Sequence, residues 1–410
     1  MRSDPRVAFF TDSYLEVNGV AQTSRQFTAF TQRRETPFLC VYAAHQTERI
    51  ENCSLTRLGL KRTNVGFRIE SDQRFDMLWR RHAKAAIEAV RQFDADLVHI
   101  TGPSDIGQLG AYVAHKLRLP AVLSWHTNLH EYAGRRLSNV TGFLPEGARK
   151  PLSDLAERLS LRALFEFYKI GRVLLAPNEE LGAMIEQNCK RPTLIMRRGI
   201  DTDLFSPAKR DRSDGLFTLG YVGRLSPEKN VRFLAELERG LAAAGKNDFR
   251  IVVVGAGSEI SWLRQNMRRA EFTGVLMGED LARAYANFDL FVFPSQTDTF
   301  GNVVLEAQAS GAPAIVSALG GPKFIVRNGE TGLVANGEQE FLTATLALMS
   351  QPEKLRQMRE RSRQMACDAS WDAIFEEVYQ AYALCLRSVN VKQATPAMIH
   401  RSMTSPDAAN

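Results

Sequence analysis

The sequence lacks any apolar run long enough to cross a lipid bilayer. Among its 410 residues, no uninterrupted hydrophobic stretch approaches the roughly 18 residues that a membrane-spanning helix requires. The opening segment, MRSDPRVAFF, carries Asp4 and continues directly into an apolar strand, which does not fit a secretory signal. These absences predict a cytoplasmic protein, and the inner face of the membrane is a second location that they allow.

Paired cysteines are also missing. The five cysteines are widely scattered and form no Cys-x-x-Cys pair: Cys40, Cys53, Cys189, Cys367 and Cys385. An odd number of thiols without regular spacing argues against a disulfide framework. We therefore expect reduced thiols with a mainly structural role, as is usual for proteins of a reducing compartment.

Signals of nucleic-acid and dinucleotide binding are absent or incomplete. The net charge of +6 is a mild excess that fits an anionic substrate or membrane surface, and no aromatic and basic repeat accompanies it. A predicted strand, Arg250–Gly255, ends in GAGS, but the third glycine and the later acid of an NAD-binding fingerprint are missing. We expect no nucleic-acid partner and no dinucleotide cofactor.

What the chain does contain is an alternation of short apolar strands and amphipathic helices, which predicts an α/β fold with parallel sheets covered on both faces. The segment 48–73 is polar and gives no assignable element. The length allows two domains. The predicted divisions are an N-terminal domain over 1–200, a linker over 201–215, a second domain over 216–369, a C-terminal helix over 370–390 and a disordered tail over 391–410.

The most informative stretch is 293–313, FPSQTDTFGNVVLEAQASGAP. It follows an apolar strand and predicts a helix over 301–310, with Asp298 and Thr299 as its caps. Asp298 and Glu306 then place two carboxylates near a helix N-terminus, where amide groups favour an anion. Carboxylates suit sugar hydroxyls and the amides suit a phosphate, so the stretch indicates a nucleotide-sugar site. The alternative is that Asp298 is only a cap and Glu306 only a solvated helix residue.

A second loop, GRLSPEKN, follows the first predicted strand of the second domain. Its Gly223, Arg224 and Lys229 lie at the same end of the sheet as Asp298. Two cations in such a loop can hold a diphosphate, the Arg as a planar fork and the Lys as a point charge. The alternative is a pair of surface charges without a role.

Two residues of the first domain are candidates for the same site. Gly19 precedes a helix and allows close approach of the backbone to a ligand, and His126 stands at the end of a strand, where open α/β sheets bind ligands. His130 and Glu131 raise the alternative of a zinc site, but the sequence supplies no fitting third ligand. We expect no metal.

A basic region extends over 134–172, where eight basic residues stand against four acidic ones. A leucine-rich apolar face accompanies these charges. Two interpretations stay open: a surface helix that rests on anionic lipid, or an ordinary core helix with a solvated basic face. The second is the commoner arrangement and is favoured.

The segments FTDSYLEVNGV, HTNLHEY, GRLSPEKN and TDTFGNVVLEAQASG together resemble the retaining glycosyltransferases of family four, which have the GT-B fold. The resemblance runs from the first strand to about Leu386. That family usually has glutamate at both ends of the acidic motif, whereas this chain has Asp298 at the first place.

The resemblance implies two Rossmann-like domains that face each other across a cleft, with the C-terminal helix crossing back to the first domain. It implies catalytic roles for Asp298, His126, Arg224 and Lys229. The implied donor-binding residues are Gly19, Arg198, Gly223, Arg224, Lys229, Val275, Phe300, Gly301, Asn302, Val303 and Glu306. It also implies that the enzyme needs no cofactor and no metal.

The implied reaction is transfer of a hexose, of the mannose or glucose type, from a GDP- or UDP-sugar to a lipid or glycan acceptor. Phosphatidylinositol mannosyltransferases and sulfolipid-forming enzymes are the types that the motifs resemble. Two other functions stay open. One is a phosphorylase-like enzyme, which would need a pyridoxal phosphate lysine, and the other is a catalytically silent protein that binds nucleotide sugars.

Overall fold

A computed structural model describes residues 4–16, 18–63, 65–68, 74–126 and 146–394. Of residues 67, 68, 74, 146–153 and 388–394 it describes the backbone. The chain divides into two compact units, one formed by Met1–Met196 with Phe375–Asn410 and the other by Arg197–Ile374. The predicted tail lies, from residue 395 onward, outside the described residues.

The described part of the first unit is built on an eight-stranded sheet in the order β10-β9-β8-β7-β1-β2-β4-β3. All its neighbours are parallel except β3 and β4. A separate antiparallel hairpin is formed by β5 and β6. The strands are β1 (Val7–Thr11), β2 (Phe38–Ala44), β3 (Glu48–Asn52), β4 (Leu55–Lys61), β5 (Gly66–Arg68), β6 (Arg74–Asp76), β7 (Leu97–Ile100), β8 (Ala121–Ser124), β9 (Val173–Ala176) and β10 (Thr193–Ile195).

Helices connect these strands and cover the sheet. They are α1 (Gly19–Arg33), α2 (Ala83–Phe93), α3 (Asp105–Leu117), α4 (Glu146–Tyr168) and α5 (Glu179–Cys189), with a short 3₁₀ turn at Trp79–His82. The C-terminal helix α12 (Trp371–Ala394) packs its later turns on this unit. Phe375 stacks on Phe27 with ring centroids 4.4 Å apart. Each fully buried phenylalanine of this kind stabilises the unit by roughly 1.5–3 kcal/mol.

The segment 48–73 departs from its featureless prediction, because β3, β4 and β5 lie in it. Leu55, Leu58 and Leu60 of β4 are buried, but polar residues interrupt them, and β3 is a mostly exposed edge strand. An edge strand needs little apolar surface, since it packs on one side only, and this leaves a weak sequence signal.

The second unit contains a six-stranded parallel sheet in the order β13-β12-β11-β14-β15-β16. Its strands are β11 (Phe217–Val222), β12 (Phe249–Val254), β13 (Ala270–Gly274), β14 (Leu290–Phe293), β15 (Ala314–Ser317) and β16 (Gly332–Ala335). Its helices are α6 (Phe233–Ala243), α7 (Ile260–Asn266), α8 (Gly278–Ala286), α9 (Asn302–Ala309), α10 (Glu338–Met349) and α11 (Pro352–Cys367). Short 3₁₀ turns occur at Pro207–Lys209, Pro227–Lys229 and Gly321–Phe324.

The register of the second sheet decides which loops meet. β11 pairs with β14, so that Leu219 lies opposite Leu290 and Gly220 opposite Phe291. Both strands are almost entirely buried, as expected for a sheet with helices on both faces. The loops that follow them leave the sheet side by side at its carboxyl edge, which is where ligands bind in folds of this kind.

No helix within the described residues is both long enough and apolar enough to span a bilayer.

Candidate active site

The site of the second unit forms where the loops after β11 and β14 touch. The Lys229 ammonium, at the end of its 3₁₀ turn, lies 2.7 Å from Oδ1 of Asp298. One residue earlier in each loop, the Thr297 hydroxyl donates to the main-chain oxygen of Glu228 at 3.3 Å. The side chains of Lys229 and Asp298 are 12% and 21% exposed, so this ion pair is partly shielded from water. Such shielding strengthens the attraction relative to an open surface pair.

Asp298 is not a helix cap, and that prediction is wrong. Helix α9 starts after Gly301, whose φ is +101°, so the N-cap residue is Gly301 and not Asp298. The Asp298 carboxylate turns instead to Lys229, a stronger partner than an amide because it carries a full charge. Its other oxygen, Oδ2, is buried and accepts no hydrogen bond from the described residues. A buried carboxylate oxygen in this state is ready to accept from a ligand.

Glu306 is buried, which contradicts the alternative that it is a solvated helix residue. Its side chain lies on the inner face of α9 with the residue 7% exposed, and the Tyr285 hydroxyl donates to its Oε2 at 2.8 Å. Burial raises the pKa of the Glu306 carboxyl to about 7, and the bond from Tyr285 only partly offsets that rise. At neutral pH this group therefore exchanges readily between its neutral and charged forms.

Arg198 contacts the ring of Phe300, which lies two residues before helix α9. The Arg198 guanidinium lies over the Phe300 ring at 6.0 Å from its centroid, and both residues are buried. Burial lowers the pKa of Arg198 to about 10, which still leaves the guanidinium charged at neutral pH. The following residues are Gly301, the N-cap, and Asn302 and Val303 of the first turn of α9. The amide groups of a first helical turn point away from the helix and toward the preceding loop.

The remaining predicted residues of this unit line its carboxyl edge. Gly223 has φ +155°, and its amide donates to Val254 at 3.0 Å. Arg224 is exposed, and the Tyr221 hydroxyl holds its main-chain oxygen at 3.0 Å. Val275 follows β13 and is 63% exposed.

The first unit carries the two other predicted residues. Gly19 is the exposed first residue of α1, whose N-cap is Asn18. His126 follows β8 and is buried, and its Nε2 lies 2.8 Å from Oγ of Ser124. His130 and Glu131 lie outside the described residues, as do 134–145 of the basic region. Within the described ranges, no three histidine, cysteine or acidic side chains gather in a way that could hold a metal ion.

Sequence reasoning missed an acidic cluster of the first unit. Asp12 directly follows β1 and accepts from the Ser104 hydroxyl, and Arg62 forks onto both oxygens of Asp105 at 3.0 Å. Burial is the main reason that the pKa of Asp12 rises to about 7. Only the position of Asp12 at the end of the first strand could have indicated it, because Arg62 belongs to the segment that gave no assignment. Tyr285, which holds Glu306, had no sequence signal.

The second unit thus combines two cations, a helix N-terminus, a partly buried acid and a buried acid at one sheet edge. Cations and amides stabilise a departing anion, and carboxylates accept bonds from hydroxyl groups. This donor set suits a ligand that has a diphosphate at one place and sugar hydroxyls at another.

Two family models match the chain. "Glycosyltransferase Family 4" matches residues 17–204, and "Glycosyl transferases group 1" matches residues 217–351. The two matches fall on the two sheets in order. They confirm the family that the sequence motifs indicated.

Relatives and solved structures agree with these models. A GDP-mannose-dependent alpha-mannosyltransferase of Corynebacterium glutamicum is 31% identical over 304 residues, which span 72% of this chain and 68% of that protein. An alpha-monoglucosyldiacylglycerol synthase of Streptococcus pneumoniae is 25% identical over 372 residues, spanning 85% of this chain and 79% of that protein.

The solved structure of sucrose-phosphate synthase from Thermosynechococcus elongatus superposes with a TM-score of 0.69 at 18% identity, covering 94% of this chain and 100% of that one. The predicted pair of Rossmann-like sheets and the predicted enzyme class are confirmed. The two matched models, the identity to curated relatives and the shared fold therefore have one explanation: the chain belongs to the family four, group 1 glycosyltransferases, and it has the GT-B fold.

Proposed function

We propose that this enzyme transfers mannose from GDP-mannose to a lipid acceptor, with retention of anomeric configuration. The observation that carries the proposal is the Lys229–Asp298 pair at 2.7 Å, with Oδ2 of Asp298 buried and without a hydrogen-bond partner among the described residues. The choice of donor is supported by the Corynebacterium relative, which is named GDP-mannose-dependent. The choice of acceptor class is supported by the pneumococcal relative, whose name identifies a glucosylated diacylglycerol as its product.

Departure of the nucleoside diphosphate is the step that needs stabilisation. Negative charge develops on the leaving phosphate, and Lys229 and Arg224 are proposed to neutralise it together with the first amides of α9. Lys229 is held at its position by Asp298, so little reorganisation is needed when the charge forms. With two cations and a helix N-terminus in these roles, the proposed mechanism needs no metal.

The sugar and the ribose are proposed to bind the carboxylates. Asp298 Oδ2 would accept from a sugar hydroxyl, and Glu306 from the ribose hydroxyls beyond it along α9. His126, at the end of β8, would contact the sugar near its reacting carbon. Asp12 and the loop after β1 would contact the acceptor. The pKa of Asp12, about 7, allows the Asp12 carboxyl either to donate or to accept a hydrogen bond at neutral pH.

Contact with an anionic membrane is proposed through α4. Leu155 and Leu159 are 52% and 58% exposed, and Arg158 and Arg162, one helical turn away on the same side, are exposed too. This exposure supports the lipid interpretation of the basic region. Pelleting with phosphatidylglycerol vesicles but not with phosphatidylcholine vesicles is expected, and Arg158→Glu/Arg162→Glu should abolish it. Equal pelleting of that double variant would remove α4 from the proposal.

The donor is tested with a panel of nucleotide sugars and a diacylglycerol-based lipid extract, each with and without chelator. Release of GDP from GDP-mannose, unchanged by chelator and increased by the lipid, is the expected result. Release of UDP from a UDP-sugar, without release of GDP from GDP-mannose, would show that the donor is a UDP-sugar and not GDP-mannose. Loss of turnover with chelator would show that a metal takes part. Binding of nucleotide without any turnover would favour the catalytically silent alternative.

The phosphate assignment is tested by Arg224→Ala. We expect turnover to fall roughly 100-fold, as when one electrostatic group at a developing charge is removed. The free energy of unfolding should change by less than about 0.5 kcal/mol because the side chain is exposed. Arg327→Ala is the matched control, since Arg327 is an exposed arginine of the same unit that precedes β16, away from the carboxyl ends of the strands. Full activity of Arg224→Ala with every donor would refute the assignment.

A further inference from the structure

A chain of buried hydrogen bonds runs through the first unit from the C-terminal helix to His126. The Tyr382 hydroxyl lies 2.6 Å from Nδ1 of His99, and Nε2 of His99 lies 3.0 Å from Oγ of Ser124. Oγ of Ser124 lies 2.8 Å from Nε2 of His126. All four residues are buried, with Tyr382 and His99 fully so. The chain belongs to none of the motifs that the sequence singled out, apart from its last member.

The sheet places the two middle members together. β7 and β8 are parallel neighbours, and His99 lies opposite Val122 in their register. Side chains alternate between faces, so Ser124, two residues beyond Val122, lies on the same face as His99. The Phe9 and Phe27 rings pack against the His99 ring at 5.0 and 6.2 Å between centroids. Because aromatic rings pack against the His99 ring, its polar contacts are the hydrogen bonds of its two nitrogens.

The direction of the first bond follows from the partners. Tyr382 has no other hydrogen-bond acceptor among the described residues, and burial raises the pKa of its hydroxyl well above the usual value. The hydroxyl therefore stays protonated and donates a hydrogen bond to Nδ1 of His99. Burial lowers the pKa of His99 to about 3, so the ring is neutral and carries its single proton on Nε2.

The direction passes on to His126. His99 donates from Nε2 to Oγ of Ser124, so the serine must use its own proton elsewhere. The alternative acceptors are Nε2 of His126 at 2.8 Å and the main-chain oxygen of Ile100 at 3.5 Å, and the first is much the shorter. We propose that Tyr382, His99 and Ser124 act as a positioning relay that holds His126 in its neutral tautomer with the proton on Nδ1. This inference rests on the proposed function, because it assigns the group that His126 presents to the sugar.

The relay gives His126 a defined chemical character. A ring that accepts at Nε2 and is protonated at Nδ1 offers a hydrogen-bond donor without adding a positive charge. A sugar hydroxyl near the reacting carbon would then be oriented by an N–H group of fixed direction. Through Tyr382, the C-terminal helix would in this way set the tautomer of a residue of the proposed site.

The wild-type chain tests the relay directly, with no donor or acceptor present. The full chain has seven histidines, few enough for long-range ¹H–¹⁵N correlation spectra of the imidazole rings to be assigned by substitution. We expect His126 to show the Nδ1–H tautomer and His99 the Nε2–H tautomer at pH 7. An Nε2–H tautomer or a charged ring at His126 would overturn the proposal.

Two variants cut the relay, and each has a matched control. Ser124→Ala removes the donor to His126, and its tautomer should move to a mixture or to Nε2–H. Tyr168→Phe is the control, because the Tyr168 hydroxyl donates to the main-chain oxygen of Ser124 and not to its side chain. An unchanged His126 spectrum in Ser124→Ala, or an equal change in Tyr168→Phe, would contradict the relay.

The second variant tests the helix. Tyr382→Phe removes the proton that selects the His99 tautomer, so His99 should become a mixture and His126 should shift with it. Tyr379→Phe is the control, since the Tyr379 hydroxyl lies one turn earlier on the same helix and contacts Thr36 at 3.1 Å. If Tyr382→Phe leaves both spectra unchanged, Tyr382 is not part of the relay.

Kinetics connect the relay to the reaction. Ser124→Ala should lower kcat about tenfold, with a smaller change in the KM for the donor, whereas Tyr168→Phe should retain activity. A wild-type spectrum with the expected tautomers, combined with no transfer activity on any donor, would refute the proposed function but leave the relay in place. The expected transfer activity together with an Nε2–H tautomer at His126 would refute the relay but leave the proposed function in place.

Discussion

Glu306 is the residue whose ionisation links nucleotide binding to pH. Its pKa of about 7 is high because burial disfavours the charged form. Hydroxyl groups that donate to a carboxylate favour the charged form and lower the pKa. If the ribose binds there as proposed, the group must lose its proton when the donor binds near pH 7. At a pH well above 7 the group is already charged, and no proton should be released.

The measurement is calorimetric. GDP-mannose binding at pH 7 should release a fraction of a proton, read from the dependence of the binding heat on the ionisation enthalpy of the buffer. GDP-mannose is a suitable probe because both its phosphates are esterified and do not titrate near pH 7. Glu306→Gln retains an acceptor for the Tyr285 hydroxyl and should abolish the release. Proton uptake by the wild type would contradict the ribose assignment.

Residue types near the site could be predicted from the sequence, but their partners could not. The spacing of Asp298 and Thr299 before a helix fits a cap, yet Lys229, 69 positions earlier, takes the Asp298 carboxylate. A local pattern carries no information on so distant a contact. Glu306 is similar: its position on α9 was visible, whereas its burial depends on Tyr285 and the packing of α8.

The start of helix α9 is the element on which the site depends. Gly301 has φ +101°, and a Cβ added there would lie 2.9 Å from Cγ of Pro322. Gly301→Ala should therefore lower the free energy of unfolding by about 1–3 kcal/mol, the usual cost of a strained backbone residue. It should also weaken donor binding, because relief of the clash moves the first amides of the helix. Urea unfolding and the donor KM measure the two effects.

Gly245→Ala is the control for this element. Gly245 has a comparable φ of +78°, but an added Cβ would meet nothing within 4 Å, and the residue lies in the loop after α6. This variant should lose stability from backbone strain alone and keep the donor KM of the wild type. An unchanged KM in Gly301→Ala would mean that the amides of α9 do not hold the donor.

At this scale the sequence was informative wherever an element packs on both sides. The buried strands β1, β11 and β14 are short, mainly apolar segments that the pattern identifies. The edge strand β3, ERIEN, has almost no buried surface, and β4 shares its burial with polar residues. The place of β4 in the sheet is set by its pairing with β2, and that of β3 by its pairing with β4, and no local pattern records either contact.

Among the described residues, each unit has a large hydrophobic core of its own, and these two cores have no residue in common. We expect scanning calorimetry to show two unfolding transitions, because a shared core is what usually makes unfolding all-or-none. GDP should increase the free energy of unfolding of the second unit only, by about 2.7 kcal/mol at a concentration 100 times its Kd. The transition temperature of that unit should rise accordingly. A single transition would show that the two units unfold together. A shift of both transitions would show that GDP binds both units.

The position of Tyr382 has a consequence for biosynthesis. The first unit combines Met1–Met196 with Phe375–Asn410, whereas the second is the continuous segment Arg197–Ile374. Tyr382 leaves the ribosome 283 residues after His99, on the order of 15–60 s later at roughly 5–20 residues per second. Through that interval the aromatic surface around Phe27 in the nascent first unit stays uncovered. The second unit, which lies between the two segments of the first in the sequence, can finish folding before them. Stalled chains that end before Phe375 should therefore bind a holding chaperone, from which chains extending past α12 are released.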